Sequence, residues 1–374
     1  MKVHINYMRR RELLWQMTEP AGIKSIILTP GPDMYYFTGL EWIATSRPIM
    51  AMISSSELCA LVIPELEATR VANSLPQETK VFTYSDETEP LTAIKAAVKA
   101  LNLSRAPIGI NYAEVKVLDY FLLRTAAPQA RVINVQQLLL KLRAIKDSAE
   151  IEFIKKAVDV AEAAVQNIIA RLTPEVTEVD IRQWLYSTML TYGAQDLAFE
   201  PIVLFGPRTA LQHERSTKQP LCNNDVIIID CGAKYKYYVS DITRTFAYGK
   251  VCDVIATIHR VAWDALNAAF EKAAPGVPAG ELDRVARSVI QKAGYGDFFI
   301  HRTGHGVGLE IHEMPYIAGN SQDLLVPGMV FTLEPGIYLP GIGGVRIEDM
   351  VLICDSGAVM LTRMKRDLNQ LRPV

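Results

Sequence analysis

Cysteine is scarce in this chain of 374 residues: five are present (Cys59, Cys222, Cys231, Cys252, Cys354), scattered, odd in number and without a CxxC pair. That usage argues against a disulfide framework or a thiolate zinc site and is expected of reduced thiols in a cytoplasmic protein. No segment approaches about 18 uninterrupted apolar residues, so no membrane span is expected. Lys2, Arg9, Arg10 and Arg11 have no apolar run behind them, which argues against a secretory signal. Neither sign of charge dominates: 39 basic and 41 acidic side chains leave a net charge of -2. With no basic stripe there is no nucleic-acid footprint. There is also no low-complexity tract and no short-period repeat. What remains is an ordinary globular composition, 49% hydrophobic and 21% charged, in a chain long enough for two domains and a large core.

Residues 1–140 alternate short strands and helices, as expected of a small α/β domain. Strand patterns lie at 23–28, 80–84, 108–110 and 132–135, and helical patterns at 65–74, 90–101 and 113–125. Residues 48–53 and 58–63 flank a Ser-Ser-Ser-Glu turn and read as a hairpin. Asp33, Tyr36 and Gly39 are expected to shape a loop. A charged junction, 141–150, opens the second domain, 141–374, where Asp147 or Ser148 can cap a helix running to about Arg171. Thr177 with Asp180 resembles a cap for a second helix, and two more helices are expected at 252–273 and 279–292. The rest is rich in strands and glycine.

The chemistry concentrates in three stretches. In 226–246 an apolar run delivers Asp230, and a β-branched and aromatic run contains Asp241. A two-residue turn at Tyr235-Lys236 would set the two carboxylates directly opposite, about 4.5–5.5 Å apart at Cβ, a crowding that a bound cation resolves. Alone, this stretch fits equally well a solvent-facing hairpin with one Asp at its turn. In 301–313 three of the six histidines (His301, His305, His312) fall among glycines, which permit unusual backbone angles and close approach. One such histidine would ordinarily be a satisfied core residue; three together point to a site. Finally, Glu334 and Glu348 are equidistant from a Gly/Pro turn centred near Gly341, so a hairpin can bring them to one face. Arg346 shares that face and can orient a carboxylate. Pro335 can introduce a bulge. Four hard oxygen donors and one imidazole suit Mn²⁺, Co²⁺ or Zn²⁺, and would hold two ions about 3.5–4 Å apart. There is no GxSxG, and the segments beginning His213-Glu214 and His312-Glu313 lack the second histidine of HExxH.

The order Asp230, Asp241, His305 in a Gly-rich segment, Glu334-Pro335-Gly336, then Arg346-Ile347-Glu348-Asp349 resembles the pita-bread metallopeptidases, and among them the Xaa-Pro peptidases, prolidase and aminopeptidase P. The junction Leu142-Arg143-Ala144-Ile145-Lys146, after a separate domain, resembles the same subgroup. The resemblance implies an N-terminal creatinase-like α/β domain followed by a pita-bread catalytic domain with a curved, mainly antiparallel sheet. It implies two divalent cations, Mn²⁺ first with Co²⁺ or Zn²⁺ as alternatives. Asp230 would chelate one and Asp241 and Glu348 would bridge, with His305 and Glu334 on the second. His213 and His312 would face the substrate carbonyl, with His301 nearby; Glu214 departs from the glycine usual after the first of these. The implied chemistry is attack by a metal-bridged hydroxide on an Xaa-Pro bond, with Glu334 relaying a proton to the leaving proline nitrogen. The substrate would be a small peptide with proline second, either a dipeptide or a peptide N-terminus. Tyr237, Tyr238 and Tyr338 are candidates to pack the proline ring. A methionine-aminopeptidase-like enzyme, a creatine-type amidinohydrolase and a binding protein on the same scaffold are the alternatives. A homodimer is also implied.

Overall fold

The computed structural model describes residues 4–43, 45–212 and 214–368 and the backbone of 370–371. The chain divides into two compact units, Met1–Arg143 and Ala144–Val374.

The first unit is built on a six-stranded mixed sheet, in the order Lys80–Tyr84, Glu57–Pro64, Met50–Ser54, Ser25–Leu28, Ile108–Ile110, Val132–Asn134. The hairpin at its centre turns on Ser55 and Ser56, both at positive φ (48° and 65°), as a tight two-residue turn requires. Ile94, Ala97 and Val98 of the Pro90–Ala100 helix pack on Ile27, Met52, Val62 and Ile108 of the sheet. The Asp33 segment is not a loop. It begins the Pro32–Thr38 helix, and its buried carboxylate accepts from Asn111 and from Arg143 at 2.7 and 2.9 Å. The helical pattern at 65–74 is realised as a 3-10 turn, Glu65–Glu67, and one α-turn, Ala68–Val71.

The second unit sets helices against strands that pair almost wholly antiparallel. The Ser148–Ile169 helix opens with a reciprocal cap, Asp147 accepting from Glu150 N and Glu150 from Asp147 N; Glu178–Thr191 opens with the same device in Thr177 and Asp180. Their apolar faces, including Ala161, Val165, Ile181 and Leu185, share a core with Ile227, Ile229 and Phe246 on the neighbouring strands. Asp253–Lys272 and Ala279–Lys292 follow. Among the described residues, no helix is long and apolar enough to cross a membrane.

Two hairpins position the site. Asp225–Cys231 pairs with Ile242–Tyr248, and the pairing continues into Ala233–Tyr235 against Tyr238–Val239. The turn is Lys236-Tyr237, both at positive φ (47° and 70°), one residue later than the sequence suggests. The Tyr237 amide, donating to Gln195 Oε1 at 2.9 Å, pins it there. Asp230 therefore opposes Thr243, not Asp241. Asp241 lies two residues before Thr243 and so keeps the same face. The second hairpin has the expected centre: Gly336–Leu339 pairs with Gly343–Arg346, and Leu333 with Asp349, in one continuous register. Glu334 and Glu348 occupy the interruption between these ladders, bridged only by the Ile347 amide donating to Pro335 O at 3.4 Å. The proline breaks the ladder without shifting it.

Candidate metal centre and active site

Asp230, Asp241, His305, Glu334 and Glu348 all line one cavity of about 520 Å³, together with Arg346, His301 and His312. Atoms of Asp241, His305 and Glu348 lie within 4.8 Å of one another, and all three residues are buried. His305 sits on the three-residue strand Gly304–Gly306 between two neighbours. A Cβ at Gly304 would stand 1.9 Å from Thr332 O, and one at Gly306 2.1 Å from Met314 O. Glycine on both sides of the histidine is what lets these strands close on it.

The His305 ring is oriented by its own backbone. Nδ1 lies 3.1 Å from Gly306 O, which can only accept, so the proton resides on Nδ1. Nε2 then presents its lone pair to Glu334 Oε1 at 3.4 Å and Asp241 Oδ2 at 3.7 Å. Burial, then the neighbouring His312, lower the His305 pKa to about 3, so the ring is neutral. Burial raises Glu334 to about 7, and burial with the surrounding carboxylates raises Asp241 and Glu348 well above the carboxylate range. One oxygen each of Asp230, Asp241 and Glu348 is buried without a hydrogen-bond partner among the described residues. A lone pair and three partnerless carboxylate oxygens facing one space repel each other, and cations between them remove that repulsion. The donor set, oxygen-rich with one nitrogen and no sulfur, fits hard or borderline divalent ions.

The second oxygens of Asp230 and Glu348 are tied down. Arg346 donates from Nη2 to Asp230 Oδ2 at 2.6 Å, from Nε to Thr243 Oγ1 at 3.1 Å and from Nη1 to Tyr338 Oη at 2.9 Å. Thr243 in turn donates to Glu348 Oε2 at 2.7 Å. His301 Nδ1 donates to Arg302 O at 2.7 Å, which leaves Nε2 to accept from Tyr338 Oη at 3.0 Å.

Residues 152–355 match the profile of metallopeptidase family M24, and residues 9–145 that of the creatinase/prolidase N-terminal domain. The chain belongs to metallopeptidase family M24. An Xaa-Pro dipeptidase of Pyrococcus furiosus is 34% identical over 362 residues, covering 96% of this chain and 99% of that one. The crystal structure of a recombinant prolidase from Thermococcus sibiricus superposes with a TM-score of 0.92 at 31% identity, covering 99% and 100% of the two chains. That of an X-Pro aminopeptidase from Thermotoga maritima gives 0.85 at 30% identity, covering 97% and 99%.

Within this family M24 chain the expected site residues are thus distributed as follows. The five candidate ligands, Arg346, His301 and His312 face the same cavity, with the His312 ring set edge-on to His305 at 4.4 Å between centroids. His213 lies outside the described residues. Tyr238 does not reach the cavity: its ring packs on Phe153 and its hydroxyl donates to Glu150 at 2.9 Å. Tyr237 is in the hairpin turn, and Tyr338 supports Arg346 and His301 from behind. Residues not singled out from sequence also line the cavity, namely Phe199, Ile202, Gln212, Arg302 and Ile311. Arg302, directly after His301 in the histidine-rich segment, carried a usable signal; the others required the fold.

The raised carboxylates have a consequence for stability. A group whose pKa is higher folded than unfolded contributes stability below its unfolded value, about 4, and loses it as pH rises through the folded one. Chelator-treated protein is therefore expected to lose thermal stability between about pH 5 and pH 8, through the Glu334 transition near 7 and the raised transitions of Asp241 and Glu348. Adding Mn²⁺ should flatten that decline. Melting temperatures across this range, with and without the ion, test it; a chelated protein equally stable at both ends would refute it.

Proposed function

We propose that this protein is an Xaa-Pro peptidase that hydrolyses the bond before proline in dipeptides or at peptide N-termini, using two divalent cations held by Asp230, Asp241, His305, Glu334 and Glu348. The observation that carries the reading is the lining of one cavity by all five, with three carboxylate oxygens left without a hydrogen-bond partner among the described residues. The names of the relatives above support the substrate class. Mn²⁺ is the first candidate ion, with Co²⁺ or Zn²⁺ as alternatives. When bound, such ions supply Lewis acidity toward a peptide carbonyl and make water more acidic.

The chain's own residues do the rest. Arg346 holds Asp230 in place, and Tyr338 holds Arg346. His312, facing the cavity, donates a hydrogen bond to the scissile carbonyl oxygen as it gains charge; His213 is proposed to do the same. Glu334 takes a proton from the attacking water and delivers it to the proline nitrogen as the C–N bond breaks. A bond to proline has no N–H, so a site that grips carbonyl and ring selects it without the contact other peptidases use. We further infer a homodimer working in the cytoplasm, the latter consistent with five cysteines that form no disulfide.

The test is metal-stripped protein restored with Mn²⁺ and given Ala-Pro and Ala-Pro-Ala side by side. Cleavage of either, abolished by chelator, is the expected result, and their ratio separates dipeptidase from aminopeptidase. Cleavage of neither with Mn²⁺, Co²⁺ or Zn²⁺ would overturn the Xaa-Pro assignment and make Met-Ala peptides the next substrates to try.

A further inference from the structure

Glu348 lies in the gap between the strands Gly343–Arg346 and Asp349–Cys354, so the ladders of its own hairpin do not hold it. Its backbone is held instead from the Asp230 hairpin. The Glu348 amide donates to Thr243 O at 3.1 Å, and the Glu348 carbonyl accepts from Arg244 Nη1 at 2.6 Å. Successive strand residues point to opposite faces. The Thr243 hydroxyl therefore grips the Glu348 carboxylate on one face of the strand, while Arg244 reaches the Glu348 peptide from the other.

Arg244 is itself fully engaged. It is 2% exposed, and each of the five N–H donors of its guanidinium finds an acceptor. Nη1 donates also to Thr243 O at 3.0 Å, Nη2 to Asp349 Oδ1 at 2.7 Å and Met364 O at 2.8 Å, and Nε to Lys365 O at 3.1 Å. Those two C-terminal carbonyls are anchored in turn, since Glu162 on the Ser148–Ile169 helix accepts from the Arg363 and Met364 amides. Asp349 accepts further from Thr362 and Arg366. Pairing with Asp349 accounts for one donor of Nη2 only. Both donors of Nη1 go to the carbonyls of Thr243 and Glu348, the two residues whose side chains meet at the centre. A carboxylate shared by two cations must meet both at once, so its backbone has to be fixed as firmly as its oxygens.

We propose that Arg244 is a positioning residue for the cation centre, setting the angle of Glu348 through its carbonyl, an inference that rests on the reading of a two-cation centre.

The experiment titrates chelator-stripped wild type and variants with Mn²⁺ by calorimetry, beside melts in chelator and Ala-Pro kinetics at saturating Mn²⁺. Arg244→Lys keeps the charge next to Asp349 but loses the planar fork. It is expected to weaken Mn²⁺ binding by about 10–100-fold. Its kcat should fall while KM stays within about twofold of wild type. Arg244→Met with Asp349→Asn removes the clamp without stranding a buried charge, and should weaken Mn²⁺ at least as much. Thr362→Val is the control: it loosens the same cluster at Asp349 without touching Glu348. It should bind Mn²⁺ within about twofold of wild type, even where it melts earlier. Unchanged Mn²⁺ affinity in an Arg244 variant that folds, or an equal loss in Thr362→Val, overturns the assignment. Failure of both Arg244 variants to fold would assign the residue to the fold and not to the centre. A stripped wild type that takes up no Mn²⁺ overturns the two-cation reading itself.

Discussion

Asp241→Asn is expected to abolish catalysis while stabilising the cation-free protein. Asp241 is 5% exposed, one of its oxygens has no hydrogen-bond partner among the described residues, and His305 and Glu348 face it. If Asp241 is a metal ligand, as proposed, an amide, which carries no charge, would not replace it, so hydrolysis should fall by roughly 10³-fold or more. Without cations the same carboxylate is a liability: burial, Glu348 and Asp230 all oppose its charge. Neutralising it relieves that opposition, and a gain of about 1–3 kcal/mol is expected in chelator near pH 8. Denaturant melts of both proteins in chelator, beside Ala-Pro hydrolysis in Mn²⁺, check the two signs. A variant that loses activity and also melts earlier in chelator would mark Asp241 as a structural residue rather than a ligand.

Breaking the Lys146–Glu313 pair should give the largest loss of stability. Lys146 Nζ lies 3.1 Å from Glu313 Oε2, and the two side chains are 0% and 2% exposed. The other Glu313 oxygen accepts from the amides of Leu309 and Glu310 at 2.9 and 3.1 Å, closing the loop that presents His312. Removing either partner strands a buried charge, so Lys146→Met is expected to cost about 3–5 kcal/mol. Lys146→Met with Glu313→Gln should recover much of that, because the amide keeps an oxygen for the loop and leaves no charge. Equilibrium denaturation of wild type, both single variants and the double variant measures the coupling. Singles within about 0.5 kcal/mol of wild type would show that the pair is exchanged freely with water.

That the four candidate carboxylates share one cavity could be read from the sequence because Asp230 sits in a strand and Asp241, Glu334 and Glu348 directly beside strand ends, where the alternation still fixes the face. The symmetry of Glu334 and Glu348 about Gly341 survives in the structure, since a hairpin's register follows from its centre. The same reasoning misplaced the Asp230 hairpin, because nothing local distinguishes Tyr235-Lys236 from Lys236-Tyr237; Gln195, 42 residues away in sequence, holds the turn. The Tyr7–Thr18 helix escaped for a different reason. It buries Arg10 and Arg11, whose guanidiniums reach the carbonyls of Tyr36, Phe37 and Ser56, so it has little apolar periodicity to detect. The partnership of Lys146 with Glu313 spans 167 residues and has no local sequence signature at all.

The most direct measurement is the metal content of wild-type protein reconstituted with Mn²⁺ and freed of excess ion, taken with its rate on Ala-Pro. Two ions per chain, with hydrolysis lost on chelation and regained on adding Mn²⁺ back, is the expected result. Hydrolysis that persists after the ions are stripped, or Mn²⁺ bound in full by a variant lacking both Asp241 and Glu348, would contradict it.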